Sequence, residues 1–379
     1  MNLEHTALME VSTIESLKYF QRLSEKTQVL VPQTGREEVA KNRLTHSYEV
    51  VTSAYLMASN MAQQLDCSIS DIDYNNVLKQ ICLLHDLGHP PFGHDGAKYI
   101  DKVFKSRGLE EGFSDNNNNL VILDNHGVDL RDEVKAGIIK YPNKLYPEQK
   151  EKYVPILEKC KRNDRSHFSK LGIMLKDQEQ TVACQIMDEA DRNSYTCSDL
   201  TDFFCLGHNI EISELENQID LSDPQQLLLA KKMIEAVNSG SKTYIKEFFR
   251  GLKNQFNANW TLTEKGLTVI DENLFKFRES LSKVEFEHFI KPIRKEEFHQ
   301  NNMHTLKVFI NNILDENFGE SSLYTDIINN TKNKQTKLKA MRDMIGEVSD
   351  WYVINYGLKI QDQMSQEQKT KTQKKLKCI

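Results

Sequence analysis

Apolar residues recur along much of the chain at spacings of three and four, which place their side chains on one face of a helix. The clearest stretch begins near residue 44, where successive spacings are 4, 3, 4, 3, 4 and 3. Its members are Leu44, Tyr48, Val51, Tyr55, Ala58, Ala62 and Leu65. The pattern predicts one long helix that buries this stripe against the rest of the protein.

Further segments show the same periodicity, and no stretch alternates as a series of strands would. A shorter apolar helix runs into His85 and Asp86, and Pro90 and Pro91 must end it because they supply no backbone donors. Helices are also predicted at 178–206, 222–238, 266–288, 302–317 and 334–356. Loops are predicted at 107–119 and 141–149, and a frayed, Lys-rich tail at 364–379. The fold class is therefore all-α, with at most a small hairpin.

Composition narrows the class of protein. The 379 residues are 39% hydrophobic and carry a net charge of -6, which disfavours a protein that coats nucleic acid but allows a small anionic ligand. No apolar run is long enough to span a membrane, and the N-terminus lacks a secretory pattern. Seven scattered cysteines form no Cys-x-x-Cys pair, which argues against a zinc ribbon or a disulfide framework. We expect a cytoplasmic protein.

Four of the 11 histidines lie between positions 46 and 94. His46 is at the start of the long helix but off its apolar stripe, whereas His85 continues an apolar face and is expected to be buried beside Asp86. Imidazole and carboxylate ligands with open positions suit a divalent cation that also binds water and a phosphate oxygen. Asp191 is the candidate for the last ligand, on a helix whose acidic face also carries Asp188, Tyr195 and Asp199.

Each part of this pattern has an ordinary structural interpretation. A His beside an Asp is more often a hydrogen-bonded pair, and an acidic helix face is more often simply solvated. Here the pair occurs with Arg-x-x-His upstream, Gly-His-Pro-Pro-Phe-Gly-His directly after it, and Asp-x-x-x-Tyr-x-x-x-Asp about a hundred residues later. The combination is far more specific than any one part.

The segments Asn42–Ser47 and His85–His94 resemble the HD-domain deoxynucleoside triphosphate triphosphohydrolases, especially bacterial dGTPases. Weaker likenesses extend the match from about residue 20 to 355: the Arg-Leu and Lys-Thr-Gln-Val segments before the HD motif, Lys140-Tyr141-Pro142, and Arg342-Asp343 with Ser349-Asp350. The resemblance implies an HD-domain core over 1–210, a helical C-terminal portion over 211–360 that completes the nucleotide pocket, and a polar tail over 361–379.

The resemblance also implies a role for each matching residue. His46, His85, Asp86 and Asp191 match ligands of a divalent metal ion, Mn²⁺ or Mg²⁺, with Fe, Co or Ni as alternatives. Arg43 matches a phosphate-contacting arginine, and His89 and His94 match histidines that face the triphosphate. Positions near the deoxyribose match Gln28, Tyr195, Asp199 and Asp350. The implied reaction is attack of water at the α-phosphorus, releasing a deoxynucleoside and inorganic triphosphate, in a protein that forms homo-oligomers.

Two positions depart from the family pattern. Ala97 stands where relatives usually carry an acid that orients the histidine matching His94, and Ser114-Asp115 stands where many have Glu-His. One hypothesis is that Asp115 pairs with His94 and restores a proton-transfer dyad, since Asp95 on the same helix would point away. The other is that the proton-transfer group has been lost. His126, in a polar segment, is a candidate stand-in proton carrier.

Three functions therefore remain open at this point. The leading hypothesis is a dNTP triphosphohydrolase. The alternatives are an HD-type phosphodiesterase or nuclease that acts on single-stranded DNA or another nucleotide, and a non-catalytic nucleotide sensor that keeps the metal. The sequence leaves open the base preference, the identity of the metal and the biological role.

Overall fold

The computed structural model describes residues 3–28, 41–316 and 323–359. In these ranges the protein is helical apart from one hairpin, which confirms the all-α class. The first half consists of α1 (Leu3–Ser16), α2 (Lys18–Gln21), a 3-10 turn (Arg22–Glu25), α3 (Arg43–Gln64), α4 (Ile69–Ile72), α5 (Leu78–Leu84), α6 (Gly93–Ser106), α7 (Asp115–Asn125), α8 (Asp132–Gly137), a 3-10 turn (Pro142–Lys144), α9 (Pro147–Lys170) and α10 (Val182–Cys205).

The second half adds further helices around this body. They are α11 (Ile212–Leu215), α12 (Pro224–Asn238), α13 (Lys242–Ala258), the strands β1 (Trp260–Thr263) and β2 (Gly266–Val269), α14 (Glu272–Val284), a π-helical turn (Glu285–Ile290), α15 (Lys291–Ile293), α16 (Glu297–Leu314), α17 (Leu323–Asn330), α18 (Lys334–Glu347) and α19 (350–359). Within the described ranges, every helix is too short or too polar to cross a bilayer.

Helix α3 forms as predicted, and its predicted stripe packs on the first apolar cluster except at Tyr48, but the most deeply buried face lies beside that stripe and includes polar residues. Tyr48 is 41% exposed and Leu44 is only half-buried, whereas His46, Ser53 and Met57 are buried. The reason is that α3 is covered by α5, α10 and α13, and polar residues on that face find partners there. Ser53, for example, hydrogen-bonds Ser194 of α10 at 2.8 Å. Counting apolar positions alone could not reveal this face.

The helix predicted over 266–288 is wrong at its start. Trp260–Thr263 and Gly266–Val269 form an antiparallel hairpin, with Trp260 paired to Val269 and Thr263 to Gly266. Gly266 has φ +82°, a conformation that glycine adopts without a steric penalty. Helix α14 begins only at Glu272, after Asp271 caps it by accepting two backbone N–H bonds. The predicted helix over 334–356 is likewise two helices, which are separated at 348–349.

The run of asparagines at 116–119 was predicted as a loop, and this too is wrong. It lies in α7, whose N-cap Ser114 accepts a hydrogen bond from the backbone N–H of Asn117. Asn117, Asn118 and Asn119 are all buried. Such polar side chains remain inside a helical core because their amide groups bond backbone groups of other segments, as Asn117 bonds Lys144 and Tyr146. The proposed tail, 361–379, lies outside the described residues.

Three apolar clusters hold these elements together. The first unites α1, α3, α5 and the first turns of α10 with the hairpin. A second joins the end of α10 to α12, α13 and α14, and a third joins α6 to α16, α18 and α19. The C-terminal helices thus cover two separate sides of the body around α3 and α10. The division at residue 210 stays a prediction.

Candidate active site

The four predicted metal ligands converge from three helices. Nε2 of His46, in the first turn of α3, lies 2.9 Å from Oδ1 of Asp191 in the middle of α10. Nε2 of His85, at the end of α5, lies 3.5 Å from that same oxygen and 3.5 Å from Oδ1 of Asp86. Ligand atoms of His46, His85 and Asp86 all lie within 4.8 Å of one another, and these three residues are buried. The arrangement could therefore hold one cation.

The hydrogen bonds of His85 test whether a metal fits. Its Nδ1 donates to the backbone oxygen of Cys82 at 2.6 Å, because a carbonyl can only accept. This tautomer leaves a lone pair on Nε2, and Nε2 is buried without a hydrogen-bond partner. A histidine that ligates a metal is expected to have a buried ring nitrogen that accepts no hydrogen bond and faces the other ligands. Nε2 of His85, which faces two carboxylates, fits this description. The residues present therefore fit a divalent cation.

Helix α7 supports this geometry from behind. The side chain of Asn119 donates to the backbone oxygen of His85 at 2.9 Å and accepts from the N–H of Gly88 at 2.5 Å. A Cβ at Gly88 would lie 2.2 Å from the backbone oxygen of Asp115, so only glycine fits there. Helix α7 therefore packs directly against the turn that carries His85 and Asp86.

Charged neighbours keep both carboxyl ligands ionised. Burial raises the pKa of Asp86, but His89, His85 and Arg43 outweigh it and hold the pKa well below its usual range. Burial also raises the pKa of Asp191, which Lys140 in particular lowers well below its usual range. Ionised carboxylates are the form that binds a cation.

In the sequence, Lys140 served only as part of the Lys140-Tyr141-Pro142 likeness, and its contacts with acidic residues were not predicted. Its Nζ lies 2.9 Å from Oδ2 of Asp191 and 3.0 Å from Oδ1 of Asp188. Asp188 is therefore not simply solvated: it contacts Lys140, which also contacts the proposed ligand Asp191. The sequence alone does not reveal this contact, because Lys140 meets the two acidic residues only when α10 and the segment after α8 pack side by side.

Arg43 lies directly beside the ligand set. Its Nη1 contacts Oδ2 of Asp86 at 2.7 Å, and its side chain is almost fully buried. Lys26, also fully buried, donates through Nζ to the backbone oxygen of His89. Burial and Arg22 lower the pKa of Lys26 well below its usual value, whereas the guanidinium of Arg43 stays charged and creates an electropositive environment that suits a phosphate.

A second group consists of His89, His94 and Asp115. Oδ2 of Asp115 lies 3.3 Å from Nδ1 of His94 and 3.5 Å from Nε2 of His89, while its Oδ1 accepts from the backbone N–H of Asn116. His89 Nδ1 lies 3.1 Å from Asp86, so this group adjoins the metal cluster. The structure brings together the residues that the sequence proposed as a compensating dyad. Their ligand atoms could also hold a cation.

The two histidines of this group differ in environment. His94 is 68% exposed, whereas His89 is buried, and burial together with Arg43 lowers the pKa of His89 to about 3. Burial raises the pKa of Asp115, but its hydrogen bond to His94 and its proximity to both imidazoles hold this pKa well below its usual range. Asp95 points away, as expected, and pairs with Arg294 at 2.7 Å.

The four residues proposed for the deoxyribose occupy different surroundings. Gln28 lines a cavity with Arg43 and His94. Asp350 accepts from Thr27 N at 3.1 Å, Thr27 Oγ1 at 2.9 Å and the N–H of Phe92 at 2.9 Å, so its carboxylate ties three segments together.

Tyr195 and Asp199 follow Asp191 on α10. Asp199 is buried, and burial together with the charge of Asp202 raises the pKa of its carboxyl to about 8.

His126 has a structural environment. Its ring stacks on Tyr19 with the centroids 3.9 Å apart. Nδ1 lies 3.0 Å from the hydroxyl of Tyr19, and Nε2 lies 2.9 Å from a carboxylate oxygen of Glu347. Both ring nitrogens are therefore engaged between α2 and α18.

Comparison with known proteins identifies similar sequences. Residues 43–196 match the HD domain. The chain is 29% identical over 226 residues to a "Deoxyguanosinetriphosphate triphosphohydrolase-like protein" of Shewanella loihica, covering 50% of this chain and 51% of the relative. Proteins of the same name match from Shewanella oneidensis (26% over 324 residues, 73% and 71%) and Ralstonia nicotianae (30% over 192 residues, 48% and 41%).

The match to the first of these relatives spans about half of that protein's length. The HD match starts at Arg43, in the first turn of α3, and ends within α10, so it encloses all four proposed ligands. Residues 43–196 thus match the HD domain, and the chain is similar to deoxyguanosinetriphosphate triphosphohydrolase-like proteins.

Proposed function

We propose that this protein hydrolyses deoxynucleoside triphosphates to a deoxynucleoside and inorganic triphosphate in a metal-dependent reaction. The observation that carries the proposal is the buried cluster of His46, His85, Asp86 and Asp191 with the unpaired Nε2 of His85. The names of the relatives support a deoxynucleotide as the substrate.

His46, His85, Asp86 and Asp191 would hold the metal, for which we propose Mn²⁺ or Mg²⁺. When bound, such an ion polarises a phosphoryl oxygen and lowers the pKa of a water molecule. The site's donors do not select between these ions, since imidazole and carboxylate together also accept Fe, Co and Ni.

The chain's own residues supply the remaining functions. Arg43, held against Asp86, presents its guanidinium to the phosphate and stabilises the charge that develops in the transition state. His94 transfers the proton: water loses a proton as its oxygen bonds to the α-phosphorus, and the O5′ of the deoxynucleoside gains one as its bond to phosphorus breaks. Asp115 orients the His94 ring through Nδ1, which leaves Nε2 for proton transfer.

We propose that Tyr195, Asp199 and Gln28 bind the sugar. Asp350 holds the adjoining Thr27 and Phe92 in place. A tyrosine ring packed on the sugar leaves little space for a 2′-hydroxyl, and a buried carboxyl can accept the 3′-hydroxyl. A site that hydrogen-bonds a hydroxyl rejects analogues that lack it far more strongly than an apolar pocket would.

One experiment tests this function against the alternatives. Purified protein is incubated with Mn²⁺ or Mg²⁺ and each dNTP, each NTP and a short single-stranded oligonucleotide, and the products are resolved by ion-exchange chromatography. We expect a deoxynucleoside and triphosphate from the dNTPs, with chelated protein as the control. Mononucleotides from the oligonucleotide would identify a phosphodiesterase instead, and nucleotide binding without turnover would identify a sensor.

We also propose that the protein acts as a homo-oligomer, as its resemblance to the dGTPase type implies. Light scattering with and without dNTP gives the mass in solution, and a monomer at working concentrations would contradict this part.

A further inference from the structure

Each carboxyl group of the proposed metal site has its two oxygens on different partners. In Asp191, Oδ1 lies 2.9 Å from Nε2 of His46 and 3.5 Å from Nε2 of His85. Oδ2 of Asp191 lies 2.9 Å from Nζ of Lys140. One oxygen therefore faces the histidine nitrogens that would bind the cation, and the other is bound by a charged amine.

Asp86 is held in the same way by a different cation. Its Oδ2 lies 2.7 Å from Nη1 of Arg43, while its Oδ1 lies 3.1 Å from Nδ1 of His89 and 3.5 Å from Nε2 of His85. The side chains of Arg43 and Lys140 are only 5% and 11% exposed. The same division of oxygens at both carboxyls indicates that each would offer one oxygen to a metal.

The backbone around Lys140 is attached to the helix that carries Asp191. Lys140 follows α8, and the side-chain amide of Gln180, just before α10, donates to its backbone oxygen at 2.8 Å. The thiol of Cys184, in the first turn of α10, donates to the backbone oxygen of Ile139 at 3.5 Å. Because both contacts come from the start of α10, the residue that carries the amine keeps a fixed position relative to Asp191.

Asp188 supplies the second contact of the amine. Its Oδ1 lies 3.0 Å from Nζ of Lys140, and its Oδ2 lies 3.5 Å from Nη2 of Arg192. Asp188 and Asp191 are three positions apart on α10, a spacing that places two side chains on one face of a helix. A lysine amine has three donors, so it can bind one oxygen of each carboxylate at once. Two contacts restrict the amine more than either would alone.

We propose that Lys140 is a positioning residue of the metal site: by binding Oδ2 of Asp191, it fixes the carboxylate so that Oδ1 alone faces the cation. Residues that hydrogen-bond a metal ligand from behind orient it, and their loss lowers the affinity for the ion. This inference rests on the proposed function, because it takes Asp191 as a metal ligand. It concerns binding of the ion and can be tested without a nucleotide.

The two effects of Lys140 on a bound cation have opposite signs. Its positive charge repels a divalent ion, so removal of the charge by itself would tighten binding. Its hydrogen bond to Oδ2 orients the ligand, so removal of that bond would weaken binding. The sign of the change in affinity therefore decides between a positioning role and a purely electrostatic one.

Titration of the metal-free protein with Mn²⁺, with the free ion measured by electron paramagnetic resonance, provides the test. We expect Lys140→Met to raise Kd for Mn²⁺ about 10- to 100-fold, the usual effect of removing a residue that orients a metal ligand. Lys140→Arg, which keeps the charge and the donors, should recover most of the loss. Arg192→Met removes a positive charge that pairs with Asp188, and as the matched control it should leave Kd near that of wild type.

Tighter or unchanged binding in Lys140→Met would overturn the positioning role. A loss in Lys140→Arg as large as in Lys140→Met would also overturn it, because a donor to Oδ2 would then make no difference. If Lys140→Met does not fold, Gln180→Ala removes the contact that anchors the backbone of Lys140 and should raise Kd by a smaller factor. An unchanged Kd in that variant would overturn the inference.

Failure of this inference can be told apart from failure of the proposed function. A wild-type protein that binds none of Mn²⁺, Fe²⁺ and Co²⁺ would overturn the ligand set and the role of Lys140 together. Metal binding without hydrolysis of any dNTP would refute the proposed reaction, while the Kd values of the variants would still decide the role of Lys140.

Discussion

The proposed metal site and the His94 group lie side by side but are built differently. His46, His85 and Asp191 come from three helices that pack in one apolar core. His94, by contrast, is 68% exposed and is contacted by a single carboxyl at the start of α7. A site fixed by many packed elements cannot change one residue without disturbing the core, whereas a site at an exposed edge can exchange its groups. We therefore expect substitutions to be tolerated more readily around His94 than among His46, His85 and Asp191.

The comparison predicts the largest effect at the buried cluster. Replacing His85 and Asp86 together by alanine should reduce bound metal to background, measured by elemental analysis after dialysis, and abolish turnover. His94→Ala should keep its metal. Full metal occupancy in the double variant would show that the ligand assignment is wrong. Because loss of Asp86 leaves Arg43 buried without its partner, His46→Gln serves as a milder variant if the double variant does not fold.

At the exposed group, Asp115→Ala should lower kcat by about 10²–10⁴, the usual contribution of a proton-transfer group. The metal content should stay unchanged, since Asp115 is outside the first cluster. Asp115→Asn keeps the shape and removes the charge, and it separates orientation from electrostatics. Unchanged activity in Asp115→Ala would exclude the compensating dyad, and loss of an ion from that variant would show that the group binds a cation instead.

The hydrogen bonds that Asn119 of α7 makes to the turn after His85 should contribute to the stability of the fold. Asn119→Ala leaves the carbonyl of His85 and the N–H of Gly88 without partners, which should cost roughly 2–4 kcal/mol in the free energy of unfolding. Urea unfolding followed by circular dichroism measures this loss. Asn238→Ala, at the exposed end of α12, is the control and should change stability little. Equal stability of the two variants would contradict the supporting role of α7.

The smallest effect is expected at His126. His126→Phe keeps the stack on Tyr19 but removes the contact with Glu347, so stability should fall by on the order of 1 kcal/mol. Activity should stay within about twofold of wild type, because the ring is engaged between α2 and α18 rather than available as a proton carrier. A hundredfold loss of kcat with the fold retained would restore His126 as a candidate proton carrier.

The sequence was most informative where a short motif carried the chemistry. The Arg-x-x-His, His-Asp and Gly-His-Pro-Pro-Phe-Gly-His segments were sufficient to propose His46, His85 and Asp86, and helical spacing placed Asp191 on the same face as Tyr195. Periodicity was also sufficient for the all-α class, because apolar spacing reports directly on helices. It was least informative for buried polar residues, as the asparagine run of α7 shows.

Taken by itself, the sequence determined the fold class, the proposed ligand set and the two departures from the family pattern. Only the tertiary structure decided that α3 buries polar residues, that Asn119 supports His85 and that Lys140 contacts Asp191. The physical reason is the same in each case. A polar or charged side chain can be buried only when a partner from another segment satisfies it, and such partners are absent from the local pattern of the chain.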